Sequence, residues 1–148
     1  MTVNAHTFKV EDGIRNLVIH FVAEITAGDE QSFVPIIVPS SLNVFPGTQK
    51  PCTHVSIERV QFRTINMEVG IYGATTSQGN ILVLPFAPNF SEDINFRKTQ
   101  PVETSPYLPG GPGFTGTLLV NTNNTIGPTG EQLDGSYSLR MWCRKKYE

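Results

Sequence analysis

Apolar and polar residues alternate along most of this chain, with the two-residue period of a half-buried strand. Leu17, Ile19, Phe21, Ala23 and Ile25 share one face of a long strand, and Val18, His20, Val22 and Glu24 share the other. After a turn at Ala27-Gly28-Asp29-Glu30, the run from Phe33 to Pro39 is strongly β-forming. Its prolines cannot donate to a ladder, which predicts an edge or irregular strand. Residues 14–38 therefore read as a hairpin. The longest β segment runs from His54 to Tyr72. Val55 and Ile57 share one parity, Val60 and Phe62 the other, and Ile65, Met67, Val69 and Ile71 return to the first. A strand changes parity only at a bulge or a turn, so a bulge is predicted near Glu58-Arg59 and a bend near Thr64. A polar turn over 73–80 leads into Ile81-Leu82-Val83-Leu84. Further strands follow at Phe114 to Val120 and at Tyr137 to Cys143. No helical periodicity occurs.

These elements predict an all-β fold: a single antiparallel β-sandwich or jelly-roll-like domain over 1–148, with long Pro/Gly-rich loops. Phe21, Ile57, Phe62, Met67, Val69, Leu82, Leu119, Leu139 and Met141 are the expected core. Residues 1–13 read as an N-terminal arm. Residues 85–113 carry six prolines and three glycines among Phe86, Phe90, Phe96 and Tyr107. They read as a long loop or arm ordered by a partner.

Composition shifts the picture toward assembly. Charged residues make up 16% of the chain and its net charge is −2, against about 25% charged residues in an average domain. So few charges give little self-repulsion, which suits a protein held among others. The start, Met1-Thr2-Val3-Asn4-Ala5-His6, has neither a basic flank nor an apolar run, so no leader is expected. No stretch approaches the roughly 20 apolar residues of a membrane helix. The two cysteines, Cys52 and Cys143, read as free thiols.

Candidate chemistry is sparse, and no enzyme, cofactor or metal is expected. The Gly-x-Ser-x-Gly elbow is missing. Cys52 and His54 are spaced to share a strand face, but read as a loop thiol and a strand-start histidine rather than a thiolate–imidazole pair. His6, His20 and His54 are dispersed and lack metal-ligand spacing. The one basic cluster, Arg140, Arg144, Lys145 and Lys146, is short and terminal, so no nucleic-acid partner is expected. Trp142 falls opposite Tyr137, Leu139 and Met141, beside Arg140 and Arg144. An outward Trp flanked by Arg has the composition of an interface anchor. With the loop aromatics, this makes Phe90, Phe96, Arg97, Tyr107, Trp142 and Arg144 the candidate interface residues.

Five segments carry a resemblance: Arg15-Asn16-Leu17-Val18-Ile19-His20; Val55-Ser56-Ile57-Glu58-Arg59; Met67 to Thr76; Gly113-Phe114-Thr115-Gly116 with its following strand; and Gly135-Ser136-Tyr137-Ser138-Leu139-Arg140-Met141. In that order, the chain resembles small virion structural proteins of tailed bacteriophages. Tyr72-Gly73 stand here where that family's motif usually reads Trp-Asp before Ala-Thr-Thr. The resemblance implies a capsid decoration (cement) protein that binds the outside of the shell. Its implied partners are the major capsid protein and further copies of itself, in a virion assembled in the host cytoplasm. A head–tail neck or tail adaptor is the alternative within that class. A carbohydrate-binding β-sandwich for host recognition is the alternative outside it.

Overall fold

The computed structural model describes residues 3–26, 31–44, 50–107, 111–124 and 127–147. Among them the chain forms ten strands: β1 (Val3–Asp12), β2 (Asn16–Ile25), β3 (Val34–Ile37), β4 (His54–Ile65), β5 (Met67–Thr75), β6 (Asn80–Phe86), β7 (Ser91–Asn95), β8 (Val102–Glu103), β9 (Phe114–Asn124) and β10 (Gly135–Lys146). Two short 3-10 turns, Pro39–Ser41 and Phe96–Lys98, complete the described elements. A six-stranded antiparallel sheet, ordered β1-β2-β10-β4-β7 with β8 also on β4, packs on a four-stranded sheet ordered β3-β9-β5-β6.

This order is a jelly roll. The run β2-β3-β4-β5 pairs in turn with β10, β9, β7 and β6, as one long hairpin wrapped into two layers. From β2 to β5 successive strands alternate between the layers, so the chain repeatedly crosses from sheet to sheet. One such crossing, between β4 and β5, takes a single residue, Asn66, at φ 52°. Asparagine tolerates this left-handed conformation better than most residues.

The expected all-β sandwich forms, while several local expectations are corrected. Residues 14–38 are not a hairpin: β2 and β3 lie in different sheets. The predicted bulge is present, with Trp142 opposite Arg59 and Cys143 opposite Ile57, so Glu58 is the extra residue. The bend expected at Thr64 falls at Asn66. The segment read as an N-terminal arm contains β1, paired with β2 from Val3 to Asp12. Residues 85–113 are not one irregular loop. They hold the end of β6, all of β7 and β8, and a 3-10 turn. Both β7 and β8 hydrogen-bond to β4. Thr104 and Ser105 are buried, and Phe96 and Val102 pack partly buried against the core.

The inward faces of the two sheets supply the core. Leu17, Ile19, Phe21 and Ile25 of β2 meet Leu139 and Met141 of β10, Val60 and Phe62 of β4, and Met67, Val69 and Ile71 of β5. Leu82 is the one expected core residue that lies outside, at 48% exposure. Ile71 pairs with Leu84 but Tyr72 with Leu82, and this shift turns Leu82 outward. Gly116, at φ +89°, fits where β9 passes the Thr53 carbonyl so closely that a Cβ would collide with it.

Two buried polar features tie the layers and ends together. The Tyr137 hydroxyl donates to Gln31 Oε1 (2.7 Å), and Gln31 N donates to Thr122 Oγ1 (2.8 Å). Burial pushes the Tyr137 phenol up to about 12. Lys145 has a fully buried side chain whose Nζ is paired with Asp12 and donates to the Gly13 carbonyl at 2.7 Å. Burial raises the Asp12 pKa, but the hydrogen bonds from Lys145 and the Asn43 amide outweigh it and hold the carboxyl below its usual range.

Candidate interaction face of the six-stranded sheet

The outward face of the six-stranded sheet follows from the same alternation that builds the core. On β10, Ser138, Arg140 and Trp142 point away from Leu139, Met141 and Cys143. On β4, Arg59, Gln61 and Arg63 point away from Val60 and Phe62. Pairing sets Trp142 between Val18 and Arg59, and Arg140 between His20 and Gln61. Side chains that follow one another along each strand thus become neighbours across three strands.

Trp142 is the centre of this face. The Arg59 guanidinium lies over its ring at 4.6 Å from the centroid, and that of Arg140 at 6.0 Å. Both distances fall within the reach of a cation–π contact. Arg59 is itself held by β7. Its Nε donates to Asp93 Oδ1 (3.0 Å) and its Nη2 to Asp93 Oδ2 (2.6 Å), while Gln61 Nε2 donates to the same carboxylate at 2.9 Å. The Arg59 and Gln61 hydrogen bonds hold the Asp93 carboxyl down at about 2. A bidentate pair fixes guanidinium orientation as well as position, so Arg59 is a set part of the surface.

Next to this ridge is a shallow, open groove of about 480 Å³, lined by His20, Gln61, Arg63, Asp93, Ser138 and Arg140 among others. His20 and Ser138 resemble a nucleophile–base pair, with Nε2 to Oγ at 3.0 Å. The third group gives the opposite outcome. Arg140 Nη2, 3.2 Å from His20 Nδ1, can only donate there. In the neutral ring that leaves the proton on Nε2, which donates to Ser138. Burial and the Arg140 charge both lower the His20 pKa, favouring that neutral ring. His20 therefore has no free lone pair aimed at Ser138 and does not activate it.

Cys52 and His54 do not form a pair either. Cys52 Sγ donates to the His54 backbone carbonyl (3.2 Å), and His54 Nδ1 lies against Thr53 Oγ1 (3.0 Å). Burial raises the pKa of both thiols, opposite to the shift of a reactive cysteine. Among the described residues, no three or more His, Cys, Asp or Glu side chains gather as a metal site. No helix of the described residues is long and apolar enough to cross a membrane.

The six candidate interface residues divide. Arg97 and Arg144 come together on Glu58, the bulge residue, at 3.4 and 3.8 Å. Trp142 stands beside them on the next outward position of β10. Phe96 turns toward the core. Phe90 and Tyr107 are half exposed but lie at opposite ends of β4, beside Phe62 and His54. At about 3.3 Å per residue, His54 and Phe62 are ~26 Å apart along the strand. The candidate face is thus Trp142, Arg144 and Arg97, joined by Arg140, which the sequence already places beside Trp142, and by Arg59, Gln61 and Asp93, which sequence reasoning did not single out. The signal for Arg59 and Gln61 was present in their parity opposite Val60 and Phe62. Asp93 had none.

Compared with known proteins, the chain matches no family model, no curated protein and no solved structure. Among the described residues, fold and face define a jelly-roll domain with an uncovered, arginine- and tryptophan-bearing sheet surface.

Proposed function

We propose that this chain is a bacteriophage virion structural protein, a decoration protein that binds the outer surface of the capsid shell and stabilises it. The observation that carries the reading is Trp142 between Arg59 and Arg140 on an open sheet face. Trp and Arg are the residues most enriched at the energetic centres of protein interfaces. The resemblance of its short motifs to those of small phage virion proteins points to the partner in this reading: the major capsid protein. The jelly roll is compatible with this role but does not select it, because the fold serves shells, lectins and enzymes alike. A ligand that binds only the assembled shell stabilises it by mass action, and a modest interface repeated over many capsomers suffices.

The groove beside Trp142 favours a second reading, a sugar-binding module, since its lining donates and accepts hydrogen bonds. Sugar recognition on such a face uses an aromatic ring as a platform. Here two guanidinium groups already lie over that ring, so the protein partner is preferred. A neck or tail adaptor would use the same face in a ring of few copies. The test is quantitative mass spectrometry of purified virions. Many copies distributed over the shell support decoration; a single ring's worth assigns the chain to the neck or tail; absence from the particle overturns the reading.

A further inference from the structure

Each sheet of a sandwich has two edges, and an uncovered edge pairs with any strand that reaches it unless something blunts it. Three edges here are blunted. β3 has four residues, with Pro35 and a register shift among them. β6 contains Pro85. β7 has five residues, carries Glu92 and Asp93, and runs into a 3-10 turn. The fourth edge, β1, has ten residues and no proline. Among the described residues, nothing pairs with its far side. Its register with β2 is unbroken from Val3 to Lys9, and shifts only between Lys9 and Glu11.

β1 also projects beyond the four-stranded sheet. Ala5, Thr7 and Lys9 pair with Ala23, Phe21 and Ile19, which are core residues, yet all three are exposed. On the opposite side His6 and Phe8 stack at 6.3 Å, and Phe8 is 53% exposed. Such a strand is open on both faces and along one edge.

We propose that β1 is a self-docking edge, pairing antiparallel with β1 of a second copy about a two-fold axis at Thr7 and joining two six-stranded sheets into one. Self-complementarity points to a second copy as the occupant. When a strand pairs antiparallel with its own copy, opposed residues share a face of the sheet and therefore have like parity. An axis at Thr7 sets Thr7 against Thr7, His6 against Phe8, Phe8 against His6, and Ala5 against Lys9. Aromatic and Thr–Thr pairs are among the favourable cross-strand pairs. An axis at Lys9 would oppose like charges, and one at His6 would leave Phe8 against Asn4. The interface is small, so the pairing is weak in solution and strengthened where copies are held side by side. This deepens one part of the decoration reading, the contact between copies, and its test needs no shells.

The experiment is sedimentation velocity of the purified full chain over a concentration series, with Thr7→Lys and Thr7→Glu. The native chain should pass from monomer to dimer as concentration rises. Thr7→Lys, which opposes two lysines on the axis, should stay monomeric with an unchanged melting temperature, because Thr7 is exposed. Mixing Thr7→Lys with Thr7→Glu should restore a dimer. Thr7→Cys should be joined by a short bis-maleimide, while the native thiols, both buried, are not. A native chain that remains monomeric throughout, or a dimer that Thr7→Lys leaves intact, overturns the proposal. A monomer that still binds phage shells would overturn the edge alone; a dimer that binds none would overturn the decoration reading alone.

Discussion

The two faces of β10 contain nearly the same number of side chains and do different work. Inward, Tyr137, Leu139, Met141, Cys143 and Lys145 are all buried; outward, Ser138, Arg140, Trp142 and Arg144 are all at least partly solvated. Even the cation on the inner side, Lys145, is a fastener, enclosed by Asp12 and backbone carbonyls of the β1–β2 turn and the 43 region. The cations on the outer side are displayed, oriented by partners that leave them at the surface. A charge therefore gains its role from its parity on the strand rather than from its type.

The contrast between the faces predicts a graded series of substitutions. Lys145→Ala should be the most damaging, by up to ~3–5 kcal/mol, because it leaves a poorly solvated carboxylate with only the Asn43 amide and the more distant Lys9 as partners; chemical denaturation measures it. The same variant isolates a pH effect. A depressed Asp12 pKa contributes stability above the ordinary value of 3.8 that is lost as pH falls through the folded value. Native stability should therefore fall more steeply in that acid range than that of Lys145→Ala. Leu139→Ala should cost ~2–5 kcal/mol through the cavity it leaves. A neutral result would show that the inner face is misassigned. Tyr137→Phe leaves the Gln31 oxygen without its buried donor and should cost ~1–3 kcal/mol. Thr104→Val comes last. Its buried hydroxyl has no hydrogen-bond partner among the described residues, so the change should be neutral or slightly stabilising in thermal unfolding. A large loss would mean that the 96–107 segment is held by that hydroxyl.

Alternation alone makes the inner face legible. Phe21, Leu139 and Met141 lie where their parity puts them, and the parity break at Glu58-Arg59 is a bulge. Parity also places Trp142 outward. Alternation names a face but not a sheet, which is why β2 and β3 read as a hairpin while lying in separate layers. β7 and β8 escape a sequence reading because each offers a single apolar residue to the core, Ile94 and Val102, too few to show a period. The prolines around them punctuate short strands instead of dissolving the segment. The groups that orient the arginines beside Trp142 are hidden for another reason. Asp93 is 34 residues from Arg59, and His20 is 120 from Arg140; only sheet pairing brings them together.

The most direct test of the decoration reading is quantitative cosedimentation of the native chain and Trp142→Ala with empty phage shells, with melting temperatures measured in parallel. The native chain should bind shells saturably. Trp142→Ala should melt within a few degrees of native yet bind at least roughly 30-fold more weakly, the equivalent of a hot-spot loss of about 2 kcal/mol. Equal affinity of the two proteins, or no shell binding by the native chain, would contradict it.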